Sequence, residues 1–407
     1  MSVQYDLVII GAGQAAAQCA IKAREKGFQG SIVVIGEEAY LPYQRPPLSK
    51  KYLSGEITQE NLLIYPETLY QTKNIEFRLQ QSVTAIRPDN KTVHTSQGDT
   101  IRYMHLVIAT GSRPNRLPES VLPKLDNVFE FRGIEDCHQI QDHLKENKTL
   151  VILGGGYIGL ELAAVAQKRG LKVIVLERAE RILQRVASEP TSRYIREIHQ
   201  QHGVQILENS CVAEFHYQEN QLTAITLESG DRLELDLMVV GIGVTANYEI
   251  AEACGINIQN RAIWVNELCE TNIANIYAIG DCACFNLDDQ FTRLESVQNA
   301  NEQADVVASK INALEAKYKP VPWFWSDQYN LKLQISGLGR DYNQVYSRIN
   351  AEKGSASFWY FADDTLKAVD AINDPRAFMM SKKFLGKEVN NPSVLADVNV
   401  DLKAILV

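Results

Sequence analysis

The sequence predicts an α/β fold: two doubly wound units of one design, joined to a small α+β domain built on an antiparallel sheet. Three observations predict it. A strand, a glycine turn, a helix and a second strand occur in that order twice, as "YDLVIIGAGQAAAQCAIKAREKGFQGSIVVIGEE" and "KTLVILGGGYIGLELAAVAQKRGLKVIVLERAE". The repetition continues in "LVIATGSRPN" and "MVVGIGVTAN", apolar strands that run into glycine turns and then leave their unit. From about Pro320 the texture turns aromatic and alternating, as in "ASFWYFADDTLKAVDAIN", a period of two that marks antiparallel strands.

Each glycine turn is a dinucleotide fingerprint. Gly11, Gly13 and Ala16 make G-x-G-x-x-A; Gly154, Gly156 and Gly159 make G-x-G-x-x-G. The first glycine permits the tight turn, the second lets a pyrophosphate approach the backbone, and the third small residue lets helix and strand pack closely. Helix N–H groups and the positive end of the dipole then hold the phosphate charge. About twenty residues on, each second strand ends in an acid, Glu37 or Glu177, suited to accept from a ribose 2′-hydroxyl. Strand before, helix after and acid at the right distance make both copies Rossmann-like dinucleotide-binding domains.

The order of elements sets the domains. After "MVVGIGVTAN" the chain returns to the first unit through "NIYAIGDCA", so that domain is discontinuous, residues 1–116 and 247–319. The second unit is the insertion, 117–246, and the C-terminal domain is 320–407. Asp281 ends the returning strand and precedes a helical pattern from Glu295 to Leu314. A carboxylate there suits a ribityl hydroxyl, with the helix N-terminus close to the pyrophosphate.

The bulk numbers fit this reading. The 407 residues exceed one core of ordinary size. With 45% hydrophobic and 22% charged residues, the chain reads as globular. A net charge of −9 argues against non-specific nucleic-acid binding. The N-terminal apolar run is cut by glycines and has no basic n-region, so it reads as a strand rather than a signal peptide. No apolar run is long enough to span a bilayer. Seven scattered cysteines suit a reducing cytoplasm better than a disulfide framework.

Other candidates read as structural. Cys282 and Cys284 form C-x-C at the turn after Asp281 and read as small side chains packed near a cofactor. His199 and His202 lie three apart on a helical stretch, with Cys211 beyond, but no second ligand pair follows at zinc-site spacing. No metal is expected. Trp323 and Trp325 suit a core. The stretch "PYQRPPLSKK", Pro42 to Lys51, is less easily placed, being rigid, basic and free of thiols. Proline fixes φ, so Pro46 and Pro47 are expected to hold one extended path that aims Arg45 and Lys50.

Together, the glycine motifs, "ATGSRP", "GGGYIGLE", "AIGDCA" and "PWFWSDQY" resemble the two-dinucleotide-binding-domain flavoproteins along essentially the whole chain. Within them the similarity is to the NADH-dependent ferredoxin reductases of oxygenase and cytochrome P450 systems. The resemblance implies FAD in the first unit, NADH in the second, and a C-terminal domain beside the flavin. It places Gly11, Gly13, Ala15 and Ala16 on the FAD pyrophosphate, Glu37 on its ribose, and Val83 and Ala109 at the adenosine end. Arg132, Asp281 and Val297 are implied FAD contacts, and Trp325 a shield on the flavin face, leaving Trp323 to packing. For NADH it implies Gly156, Ile158 and Gly159 in the turn, Glu177 on the ribose, and Gly243 and Glu295 near the nicotinamide.

In the same family a Lys–Glu pair lies beside the flavin ring, which implies Lys50 paired with Glu161 across the domain junction. A cation at the flavin edge, with Arg45 nearby, stabilises electron density on reduction. Relatives that reduce disulfides carry a C-x4-C pair in the corresponding helix, whereas here no cysteine lies between Cys19 and Cys137. Electrons are therefore expected to leave the flavin directly, singly, to a transiently docked 2Fe–2S ferredoxin. Alternatives are a rubredoxin reductase, an NADH oxidase, or a redox-controlled interaction protein resembling apoptosis-inducing factor. Asp305 departs from the family, where that position is often basic in relatives that dock acidic ferredoxins. A monomer or weak homodimer is expected.

Overall fold

The computed structural model describes residues 3–405, in two compact units. The first gathers the chain up to Gln44, Thr58–Arg113 and Val244–Pro320; the second gathers Arg45–Ile57, Pro114–Gly243 and the residues from Val321 onward.

The first unit is organised by a seven-stranded sheet. Val3–Ile10 lies between Ile32–Ile35 and Thr100–Ile108 and is parallel to both, with Val8 opposite Val33 and Leu106. Leu7, Val8, Ile9 and Ile10 are all buried. Such a continuous apolar run, rather than an alternating one, is what a parallel strand covered on both faces requires. Ile75–Arg78 extends the sheet on one side, and Ile276–Ala278 joins Thr100–Ile108 in parallel. The helix Gln14–Glu25 buries Ala15, Ala16, Ala17, Ala20 and Ala23, small side chains that permit close packing. It packs against the helix Val297–Ile311. That second helix is shorter than the expected Glu295–Leu314. Ser296 caps its start by accepting from Asn299 N–H at 3.1 Å, which fixes the first turn two residues later than the periodicity suggests.

The second unit holds three sheets. Five parallel strands run in the order Gln205–Leu207, Lys172–Leu176, Thr149–Leu153, Leu237–Val240, Val128–Glu130. A three-stranded antiparallel meander spans Val212–Glu234. The aromatic C-terminal segment forms the expected antiparallel sheet, ordered Trp323–Gln328, Leu331–Gly337, Thr365–Ile372, Ser355–Ala362, Gln344–Asn350. Trp359, Phe361, Leu366 and Val369 pack beneath the helix Pro375–Phe384 with Phe378 and Leu395.

The Pro42–Lys51 segment departs from the expected extended path. Pro47 has helical dihedrals, φ −69° and ψ −18°, and begins a wide turn over Leu48–Tyr52 closed by Tyr52 N–H to the Pro47 carbonyl at 3.0 Å. Proline's fixed φ suits the first position of a helical turn, where its missing N–H costs nothing. The fixed φ serves a turn rather than an extended path.

One buried carboxylate in the C-terminal sheet gives a stability prediction. Asp370 Oδ2 accepts from Thr191 Oγ1 at 2.8 Å and from the Tyr360 hydroxyl, which itself accepts from Ser188 N–H at 2.8 Å. Burial pushes the carboxyl up to about 6, against the pull of both hydroxyls. A folded value above the unfolded one means that stability is greatest with the group protonated and falls as pH rises from about 4 to about 6. Asp370→Asn, which keeps an acceptor without the charge, is expected to raise unfolding free energy by on the order of 3 kcal/mol near pH 8, and by less near pH 5. Urea midpoints at the two pH values check it; an equal gain at both would show that charge burial is not the cause.

Candidate functional site

In the first unit the fingerprint turn is confined at one glycine and open at the next. Gly11 adopts φ +101°, and a Cβ there would meet the Ala109 carbonyl oxygen at 2.2 Å. Gly13 caps the helix Gln14–Glu25 with extended dihedrals, φ −97° and ψ −163°, and a Cβ there would meet nothing within 4 Å. The protein itself does not need glycine at 13; a ligand approaching the helix N-terminus does.

The turn Gly280–Cys282 comes to the same place, since a Cβ on Gly280 would meet the Ala15 side chain at 3.1 Å, and Gly280 N–H donates to buried Gln303 at 2.7 Å. Asp281 accepts from Ser112 Oγ at 2.9 Å. Gly11, Gly13, Ala15, Ala16, Ala109 and Asp281 thus share one locality. Glu37 is exposed just after Gly36, whose backbone packs on Ala12, and Val83 begins the strand Val83–Arg87. Val297 opens the helix Val297–Ile311, with Glu295 before it held by Arg293 at 2.6 Å. Asp305 is paired with Lys26 at 3.2 Å, which offsets its charge.

The second unit repeats the pattern. Gly154, at φ +111°, would bring a Cβ 2.3 Å from the Gly241 carbonyl oxygen, and a Cβ on Gly159 would meet the Gly154 carbonyl oxygen at 2.3 Å. Gly156 caps the helix Tyr157–Lys168 and faces open space. Ile158 stands exposed in the first turn. Glu177 follows the strand Lys172–Leu176 and accepts from Gly155 N–H and Ala179 N–H, each at 2.8 Å, which pins the carboxylate beside the turn. Gly243, at φ +99°, lies near the Arg185 guanidinium. Both units therefore carry a cradle that fits a dinucleotide pyrophosphate.

Beyond the cradle, Lys50 Nζ lies 2.8 Å from Glu161 Oε2. Glu161 is 3% exposed. The expected junction-spanning pair is instead internal to one unit, because residues 45–57 pack with the helix that carries Glu161. Two hydroxyls absent from the sequence reading complete the site: Ser49 Oγ donates to Glu161 Oε2 and Ser326 Oγ to Oε1, each at 2.5 Å. Burial pushes the Glu161 carboxyl above the usual range, while the Lys50 ammonium and both hydroxyls pull it down. A buried carboxylate needs such partners to remain charged. Arg45 donates to the Arg132 carbonyl at 2.9 Å, which ties the start of the segment down. Trp325 stacks with Trp323, ring centroids 5.5 Å apart, and immediately precedes Ser326.

No thiol is poised near this pair. Cys137 is buried, its Sγ 3.7 Å from the Leu48 carbonyl, and burial pushes its thiol up to about 12; Cys19 is likewise buried at about 12. The thiolate is the reactive form, so neither is suited to disulfide exchange. Among the described residues no His, Cys, Asp and Glu group could hold a metal, and no helix is long and apolar enough to cross a membrane.

Two glycine cradles, each followed by a strand-end acid, fit a protein that holds two dinucleotides. The family models agree: "Pyridine nucleotide-disulphide oxidoreductase" matches residues 5–304 and "Reductase C-terminal" matches residues 323–406. The chain belongs to the pyridine nucleotide-disulphide oxidoreductase family, whose ferredoxin reductase members use FAD and NAD(H). It is 37% identical to putidaredoxin reductase CamA of Pseudomonas putida, covering 100% of this chain and 98% of that one. It is also 37% identical to rhodocoxin reductase of Rhodococcus erythropolis, over 98% and 93% of the two chains. The reductase in the covalent putidaredoxin reductase–putidaredoxin complex superposes with a TM-score of 0.94 at 36% identity, covering 100% of this chain and 99% of that one.

Proposed function

We propose that the chain takes a hydride from NADH and passes single electrons to a 2Fe–2S ferredoxin serving a cytochrome P450 or another oxygenase. FAD, when bound, supplies the conversion between two-electron and one-electron transfer. The first dinucleotide-binding domain, residues 1–116 and 247–319, would hold FAD through Gly11, Gly13, Ala15, Ala16, Glu37, Val83, Ala109, Asp281 and Val297. Residues 117–246 would hold NADH through Gly154, Gly156, Ile158, Gly159, Glu177 and Gly243, with Glu295 toward the nicotinamide. Lys50, Arg45, Arg132 and Trp325 are assigned to FAD as well, and 320–407 is the C-terminal domain. The protein works in the cytoplasm as a monomer or weak homodimer.

The observation that carries this reading is the Lys50–Glu161 pair on a segment free of thiols. It supplies a fixed cation and offers no dithiol to divert electrons. NADH-driven cytochrome c reduction tests the proposal: it should require a 2Fe–2S ferredoxin and be slow without one. A rate unchanged on adding ferredoxins that serve P450 systems would defeat it.

Nucleotide choice follows from Glu177. Its carboxylate accepts from a 2′-hydroxyl but repels a 2′-phosphate, and its two backbone hydrogen bonds keep it from swinging away. Arg178 and Arg185 are exposed and free to turn to solvent. NADH should be preferred by about a hundredfold in kcat/KM, the equivalent of a few kcal/mol of repulsion. Equal values for NADH and NADPH would refute the assignment.

A further inference from the structure

Two buried polar side chains of the second unit, Gln328 and His199, have no part in the chemistry above, yet they lie in line with Ser326. Ser326 Oγ, already 2.5 Å from Glu161 Oε1, lies 3.1 Å from Gln328 Nε2. Gln328 Oε1 is 2.7 Å from His199 Nε2, and His199 Nδ1 is 3.3 Å from the Tyr329 hydroxyl. Ser326, Gln328 and His199 are buried; Tyr329 is partly exposed and stacks on exposed His202 at 3.8 Å. Local structure explains the alignment. Ser326 and Gln328 are two apart on one strand and so share a face, while His199 sits in the last turn of the helix Glu189–Gln201.

Lys50 fixes the sense of this chain. With its ammonium 2.8 Å from Oε2, Glu161 is a carboxylate and can only accept. Ser326 therefore donates to it and has lone pairs left for the amide N–H of Gln328. The amide oxygen then faces His199, which must present Nε2–H. Its Nδ1 keeps a lone pair for the Tyr329 O–H. Every donor points toward Glu161, and bonds ordered this way polarise one another.

We propose that Ser326, Gln328 and His199 form a one-way donor chain that positions Glu161 and keeps it ionised, with His199 held as the neutral Nε2–H tautomer. These are positioning residues, acting on Lys50 through Glu161, and the inference rests on the role given to that pair above. Burial supports it, holding the imidazole down at about 4 against the opposing pull of Gln328. The imidazole therefore stays neutral at working pH.

Among the described residues, Lys50 and Tyr157 interact with Glu161, Asp370 and Tyr360 with Tyr157, His202 with His199, and the Lys168 ammonium lies 6.0 Å from the Tyr329 ring centroid. Burial keeps Tyr157 and Tyr360 protonated. Asp370 titrates at about 6, so activity comparisons belong in the Asp370→Asn background.

Nitrogen-15 NMR of the full-length, FAD-loaded protein labelled at histidine, assigned by loss of signal in His199→Gln, tests the tautomer directly. His199 should carry its proton on Nε2 and not titrate between about pH 6 and 9. An imidazolium, or the proton on Nδ1, overturns the chain whatever the enzyme's activity. The second test is the pH profile of flavin reduction by NADH. Ser326→Ala and His199→Phe should each move the acid limb up by about one pH unit, since a carboxylate that loses donors protonates sooner. His199→Gln, which keeps an N–H donor, should bring it back. Unshifted limbs in flavin-replete Ser326→Ala would overturn the proposal even if His199→Phe fails to fold. If NADH does not reduce the parent protein's flavin, the proposed function has failed, while the tautomer measurement still decides the chain.

Discussion

Gly13→Val is expected to yield a folded protein that purifies without flavin. The argument rests on the difference between two glycines two residues apart. A side chain at Gly11 would drive into the Ala109 carbonyl and force the left-handed turn open, so its replacement disturbs the fold itself. Gly13 has neither constraint. Its dihedrals, φ −97° and ψ −163°, lie in the extended region that valine favours, and no protein atom comes within 4 Å of a Cβ placed there. No protein atom fills the space at the N-terminus of Gln14–Glu25, where the proposed FAD site puts the pyrophosphate. Flavin affinity should fall by about a hundredfold or more, as expected when a phosphate loses its helix N–H donors. Absorbance spectra after refolding with FAD and a thermal melt of the apoprotein check the two halves separately. A yellow Gly13→Val protein would place the flavin elsewhere. Gly156→Val makes the matching case in the second unit, keeping flavin but losing its reduction by NADH.

What the sequence made legible, and what it hid, follows from the range of the interactions. The two glycine turns are local: strand, turn and helix are contiguous, so Gly11 and Gly154 announce their φ values through spacing alone. The C-terminal sheet is legible for the same reason, since alternation is a property of each strand by itself. The Pro46–Pro47 pair was misleading because proline's φ is shared by extended chain and by the first helical turn, and the choice lies in ψ, which packing decides. The surroundings of Glu161 were hidden for a different reason. Its hydroxyl donors are 112 and 165 residues away, and serine carries little sequence signal. Only Ser326 had a cue, its place directly after Trp325. His199, set aside for want of a second metal-ligand pair, needed Gln328, 129 residues distant, to acquire a role.

Lys50→Met is expected to slow flavin reduction by NADH by about a hundredfold, the scale of losing one well-placed electrostatic group in a dry site. The Lys50 side chain is 14% exposed and held on a turn that begins at Pro47, so the cation is available without reorganisation. The substitution also leaves Glu161 buried without its counter-ion, which costs about 3–5 kcal/mol in comparable pairs. The two effects separate in a second variant. Lys50→Met with Glu161→Leu removes both charges and should recover most of the stability but none of the rate. Recovery of the rate as well would mean that Lys50 serves only to neutralise Glu161. A parallel measurement tests thiol chemistry. Cys211 and Cys254 are the partly exposed cysteines, and the other five are buried. Alkylating the native protein should therefore leave ferredoxin-linked cytochrome c reduction largely intact. If alkylation removes that activity while FAD stays bound and NADH still reduces it, electrons do pass through a thiol. Direct transfer past Lys50 would then be wrong.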